Sequence, residues 1–210
     1  AGIGQLTLID RDLVEETNLQ RQALYTEHSI GKPKVLEAKR ALLEINSTLK
    51  ITTHFEDLSY KNVDLLEADI IVDGTDNLQT RFLLNEYAKK NGRTWVYGSA
   101  IGRQGYVQLL KEKCFSCYQK PANLPTCETA GVFGSVTHIV GSLQAQLVID
   151  YLATDVVDEK LRHITVSPVT IDILDTPKSK DCLVCSQVFD YLDGKGYEIT
   201  KTCGGTYHVS

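Results

Sequence analysis

Three short β-favouring apolar runs, Leu6-Thr7-Leu8-Ile9, Ile70-Ile71-Val72 and Trp95-Val96-Tyr97, end in Asp10, in Asp73-Gly74 and in Gly98. Helix-like stretches lie between them. This alternation of buried strand and helix points to an α/β fold, a Rossmann-like, mostly parallel sheet with crossover helices. The helical stretches cover residues 33–46, with Val35, Ala38, Leu42 and Ile45 on one face, then 63–68 and 78–90. Pro33 suits a first helical turn, where its missing amide hydrogen leaves nothing unpaired. Ligands of such sheets bind outside the carboxyl ends of the strands, which is where Asp10, Asp73 and Asp76 fall.

Beyond Gly105 the pattern changes. Residues 106–110 read as a strand, 114–127 as an irregular stretch rich in Cys, Pro and Asn, 132–153 as a long helix, and 163–166 and 169–174 as further strands. No repeat or low-complexity linker divides the chain, so the expectation is one domain over 1–210, ending in a metal-stapled β-containing part. The Gly-rich residues 194–210 suggest no element.

With 42% hydrophobic and 23% charged residues in 210, the chain can bury a core and is not globally disordered. A net charge of -5 excludes a broad basic footprint for nucleic acid. No apolar run approaches the roughly 18 residues that span a bilayer, and no secretory signal is visible, so a cytoplasmic protein without membrane partners is expected.

In a reducing compartment the six cysteines are not expected to form disulfides. Four of them form Cys114-x-x-Cys117 and Cys182-x-x-Cys185, a spacing that converges thiolates on one tetrahedral zinc ion. A redox pair competes for either motif alone; two motifs together favour zinc. Four thiolates close the coordination sphere, so this zinc is structural, tying the irregular stretch to the C-terminal strands.

Asp10, at a strand end, can accept hydrogen bonds from ribose hydroxyls or cap a turn. Asp12 and the run Asn18-Leu19-Gln20-Arg21-Gln22 follow it, and Lys34 adds a compact cation; the fork of Arg21 suits phosphate oxygens. Asp73-Gly74-Thr75-Asp76-Asn77 leads from a strand into a helix, where anions are favoured. There Asp76 is a candidate Mg2+ ligand, while either Asp76 or Asn77 could be the helix N-cap.

Leu8-Ile9-Asp10-Arg11-Asp12, Asn18 to Gln22, Gly31-Lys32-Pro33-Lys34, Asp73 to Asn77 with Arg81, the paired CxxC motifs and Cys127-Glu128-Thr129-Ala130-Gly131-Val132 together resemble the ThiF/MoeB/HesA family of ubiquitin-activating-type enzymes. The resemblance runs in order through nearly the whole chain. It implies a homodimeric adenylyltransferase that uses ATP to activate the C-terminal Gly-Gly carboxylate of a ubiquitin-like sulfur carrier, in thiamin thiazole or molybdopterin synthesis. By matching position, Asp10 holds ribose, Asn18, Arg21 and Lys34 hold phosphates, and Asp76 holds Mg2+. Asp12, Gln22, Thr75 and Asn77 complete the nucleotide set. Arg21, Lys34, Asp76 and Cys127 are the implied catalytic residues, Cys127 as a covalent or sulfur-transfer thiol. An inert, partly buried thiol is the rival reading there.

Family members begin with an arginine-bearing helix, a strand and a glycine-rich loop, none of which precedes Ala1. A chain truncated before that strand is therefore expected. The rival function is a catalytically silent module of the same fold that recognises a ubiquitin-like protein. A nicotinamide dehydrogenase shares the sheet but leaves Arg21, Lys34, Asp76 and the CxxC pair unexplained.

Overall fold

The computed structural model describes residues 2–121, 131–196, 199–201 and 207–209. It divides into two compact units, Ala1–Leu65 and Leu66–Ser210.

In the first unit β1 (Gln5–Ile9) and β2 (Lys50–His54) pair in parallel, from Gln5 opposite Lys50 to Ile9 opposite His54. Parallel neighbours need a crossover, and α1 (Lys34–Ile45) supplies it. The sequence expectation omitted β2. Its single large apolar residue, Ile51, gives no periodic signal, although three β-branched residues in a row favour a strand.

Helix α1 follows Pro33, which occupies the N-cap position. Val35 and Ala38 are buried as expected, whereas Ile45, the last helical residue, is 77% exposed. The buried set includes Glu37 instead. Its carboxylate accepts hydrogen bonds from Ser29 Oγ at 2.8 Å and Arg40 at 3.1 Å. The Ser29 bond, helped by Arg40 and Lys32, holds this carboxyl below the usual range despite burial. The expected helix over 63–68 is only a 3-10 turn, Val63–Leu66, because so few residues cannot offset helix nucleation.

In the second unit β3 (Ile70–Val72) and β4 (Thr94–Ile101) are parallel, joined by α2 (Leu78–Asn91). Gly92 ends α2 at φ +62, returning its N–H to Ala88 O. From β4 the sheet continues antiparallel through β5 (Gln104–Leu110), β6 (Leu161–Val166) and β7 (Val169–Leu174), giving the order β3-β4-β5-β6-β7. The change of pattern expected near Gly105 is the start of this antiparallel half. Further along, β8 (Ile199–Lys201) and β9 (Tyr207–Val209) form an antiparallel pair.

Helix α3 (Gly134–Thr154) crosses β4 and β5 where two glycines make room for it. A Cβ at Gly98 would lie 2.3 Å from Gln144 Nε2, and one at Gly105 would lie 2.5 Å from Val140 Cγ2. Gln144 is buried but satisfied, donating to Asp73 O at 2.7 Å and Val96 O at 3.2 Å. Below the sheet, Phe115 meets Phe82, Trp95, Tyr97 and Tyr118 with centroids 5.0 to 5.7 Å apart.

Tyr191 stacks on Phe82 of α2 at 5.2 Å, and Glu86 accepts Leu192 N–H at 2.9 Å. Burial raises the Glu86 carboxyl to about 7, with Asp190 and Asp193 adding repulsion and the Leu192 and Tyr191 amides opposing it. An acid raised from 4.5 binds its proton more tightly when folded. The associated stability is present below about pH 4.5 and is lost as pH rises through about 7. Glu86→Gln should therefore stabilise the protein at pH 8 by up to about 3 kcal/mol, fading toward pH 4.5. Urea denaturation of both proteins across that range checks this, and a pH-independent difference would refute it.

Candidate functional site

In the first unit, Asp10 stands immediately after β1 and its Oδ1 accepts Asp12 N–H at 2.8 Å. Asp12 in turn binds Lys34, through Nζ to Oδ2 at 2.8 Å and backbone N to O at 2.9 Å. The structure thus joins the strand-end acids to the first residue of α1. The Lys34 side chain is only 11% exposed, so its cation is fixed rather than solvated.

Tyr25 donates its hydroxyl to Lys34 O at 3.3 Å. Burial first, then the charges of Asp10 and Glu37, push this phenol up to about 12, so it remains a donor at neutral pH. The sequence reading missed Tyr25, as well as the Ser29–Glu37–Arg40 set behind α1. Only tertiary contact reveals either.

Asn18 is buried in the 3-10 turn Glu16–Asn18, where its Oδ1 accepts Glu15 N–H at 3.1 Å. Arg21 donates from Nη1 to Thr17 O at 2.9 Å, which engages one arm of its fork and leaves other N–H groups for a ligand. Gln22 Oε1 is buried with no hydrogen-bond partner among the described residues, the kind of atom that a bound polar group satisfies.

In the second unit, the loop after β3 is held from within. Asp73 is 1% exposed; its Oδ1 accepts Thr75 N–H at 2.8 Å and Thr75 Oγ–H at 2.7 Å. Its Oδ2 accepts Arg81 Nε–H at 3.0 Å. Arg81 also donates to Thr75 O and, at 3.0 Å, to Gly98 O, with its guanidinium 5.3 Å from the Tyr97 ring centroid. Burial works against the Arg81 charge, but Asp73, together with Tyr97 and Asp76, more than offsets it and raises its pKa. Asn77 is the N-cap of α2, accepting Thr80 N–H at 2.8 Å. Of this loop's acids, Asp76 is exposed, and its described interaction is the charge it adds in favour of the Arg81 cation. Thr75 and Asn77 are thus engaged in shaping the loop, and Asp76 offers the open carboxylate.

The second unit also brings all four CxxC cysteines together, with their Sγ atoms within 4.8 Å of one another. Cys114 and Cys182 are 3.8 Å apart and Cys117 and Cys185 3.6 Å, too long for disulfides. A tetrahedron with metal–sulfur bonds of about 2.3 Å has sulfur–sulfur edges of about 3.8 Å, so the donor set fits one ion. Cys114, Cys117 and Cys182 are buried; Cys185 is exposed. Cys127 lies outside the described residues, as does Cys203. No described helix is long and apolar enough to cross a membrane.

Residues 1–184 match the ThiF family. The chain is 36% identical over 198 residues to the "Adenylyltransferase and sulfurtransferase MOCS3" of Aedes aegypti, covering 89% of this chain and 45% of that one. It is 33% identical over 159 residues to the "Sulfur carrier protein adenylyltransferase" of Thermus thermophilus, covering 69% and 59%. Among solved structures, E. coli MccB with MccA-N7isoASN superposes with a TM-score of 0.77 at 25% identity, over 88% of this chain and 61% of that one. The chain therefore spans less than two-thirds of the length of these relatives. With the matching residues, the parallel strand–helix units and the four-cysteine cluster all in agreement, the chain belongs to the ThiF family.

Proposed function

We propose that this chain is the activating domain of an adenylyltransferase that uses ATP to adenylate the C-terminal Gly-Gly carboxylate of a ubiquitin-like sulfur carrier. The observation that carries this reading is the open Asp76 carboxylate on a loop fixed by the Arg81–Asp73 pair, in a chain related to named sulfur-carrier adenylyltransferases. The proposed pathway is thiamin thiazole or molybdopterin synthesis, in the cytoplasm, with a homodimer as the working assembly.

In this reading Asp10 holds the ribose, with Asp12 and Gln22 lining the nucleotide. Asn18, Arg21 and Lys34 hold the phosphates. Thr75 and Asn77 shape the loop that presents Asp76 to Mg2+, which when bound neutralises charge on the leaving pyrophosphate. The carrier carboxylate is already a nucleophile, so the protein's work is alignment with the α-phosphorus and stabilisation of charge. A carboxylate oxygen forms the new bond to that phosphorus as its bond to the pyrophosphate oxygen breaks. The four cysteines hold a structural zinc, and Cys127 is proposed as the thiol that attacks the carrier acyl-adenylate to form a thioester as AMP leaves, or else as a cysteine of sulfur transfer.

Removing one cationic clamp commonly costs about 2–4 kcal/mol in the transition state. Arg21→Ala is therefore expected to slow adenylation by roughly 30- to 1,000-fold while changing stability by no more than about 0.5 kcal/mol. Comparable losses of activity and folding would remove the catalytic reading. The function itself is tested by carrier-dependent exchange of labelled pyrophosphate into ATP, using the full-length gene product and the thiazole-branch and molybdopterin-branch carriers separately. Exchange with one carrier identifies the reaction and the pathway. No exchange with either, from folded protein, favours a silent binding module.

A further inference from the structure

We propose that Asn85 is a positioning residue for the four-cysteine metal site, donating one side-chain N–H to the Cys114 sulfur and so fixing that ligand to α2. The inference rests on the reading of the cluster as a metal site.

Asn85 is fully buried, and each of its polar atoms has work at the cluster. Its Nδ2 donates to Cys114 Sγ at 3.4 Å and to Ser116 Oγ at 3.0 Å, while its Oδ1 accepts Phe115 N–H at 2.9 Å. One amide thus grips three consecutive residues of the first cysteine turn. Cys117 N–H closes the same turn on Cys114 O at 3.1 Å.

A metal-bound thiolate carries negative charge in a buried setting, and an N–H aimed at it disperses that charge and fixes its lone-pair direction. The placement along α2 gives the contact a second consequence. The same helix is capped by Asn77 beside Asp76, carries Arg81 one turn later, and reaches the metal turn through Asn85 in the next. Metal site and nucleotide loop are therefore tied to one rigid element.

Two variants separate the roles of Asn85. Asn85→Asp keeps an acceptor for Phe115 N–H but removes the donor at sulfur. Ser116→Ala removes only the partner of the second amide hydrogen. Competition with a chromophoric chelator should show zinc held 10- to 100-fold less tightly by Asn85→Asp, with Ser116→Ala close to wild type. The sulfur-to-cobalt charge-transfer band of the cobalt(II)-substituted protein should shift in Asn85→Asp alone.

Should Asn85→Asp fail to fold, the wild-type protein loaded with cadmium-113 decides the question. A through-bond correlation between the Asn85 amide proton and cadmium supports the inference. Its absence in a protein that binds cadmium through four sulfurs overturns the inference while leaving the metal reading intact. A folded wild-type protein that binds neither cobalt nor cadmium overturns both.

Discussion

Removing the proposed zinc, or one of the cysteines that would hold it, should cause a large loss of stability. Structural zinc sites in small peptides contribute about 10–16 kcal/mol of apparent binding free energy. Losing only a third of that, about 4 kcal/mol, lowers Tm by roughly 8–16 °C in a chain of this size. Cys182→Ser is expected to do this because Cys182 is 1% exposed and belongs to the second cysteine turn, 68 residues from the first. Without the ion, the two turns would keep only the apolar packing of Cys114, Cys117, Cys182 and Val184 among the described residues. Calorimetry of wild-type protein before and after chelation, with zinc counted by atomic absorption, provides the measurement. An unchanged Tm in protein shown to be metal-free would refute the structural role.

Arg81→Ala should cost about 3–5 kcal/mol, the usual penalty for leaving one member of a buried ion pair without the other. Asp73 would keep its bonds from Thr75 but lose its counter-ion, and the Thr75 and Gly98 carbonyls would each lose a donor. Arg81→Lys should recover only part of the loss, because one ammonium cannot reproduce a planar fork directed at three acceptors. Urea unfolding at pH 7 measures both variants. A loss below about 1 kcal/mol for Arg81→Ala would mean that the loop is held elsewhere. The proposed nucleotide binding should weaken as well, since the same contacts shape the backbone that presents Asp76.

The function of Arg81 also marks how far the sequence could be read. It was visible as part of a motif, but a guanidinium eight residues after an aspartate could equally have been a solvated helical charge. Burial and the reach to Gly98 O decide otherwise. Asn77 shows the opposite case: capping was an open alternative in the sequence, and the bond from Thr80 N–H places it at the cap. Asn85 gave no sequence signal, because an isolated asparagine within a helix has no periodicity or spacing to identify its partner.

What the sequence determined by itself was local or strictly spaced. The strand cores at residues 6–9, 70–72 and 95–97, the last of which continues through Gly98 to Ile101, the helix after Pro33, the long helix now bounded as Gly134–Thr154 and the paired CxxC motifs all depend on neighbours a few residues apart. Tertiary structure alone decided that polar Lys50–His54 is a strand, that Glu37 is buried while Ile45 is exposed, and that Gln144 reaches Asp73 O across 71 positions. The physical reason is common to these cases. A buried polar group is tolerated only when a partner satisfies it, and the partner's position along the chain is set by packing rather than by local preference.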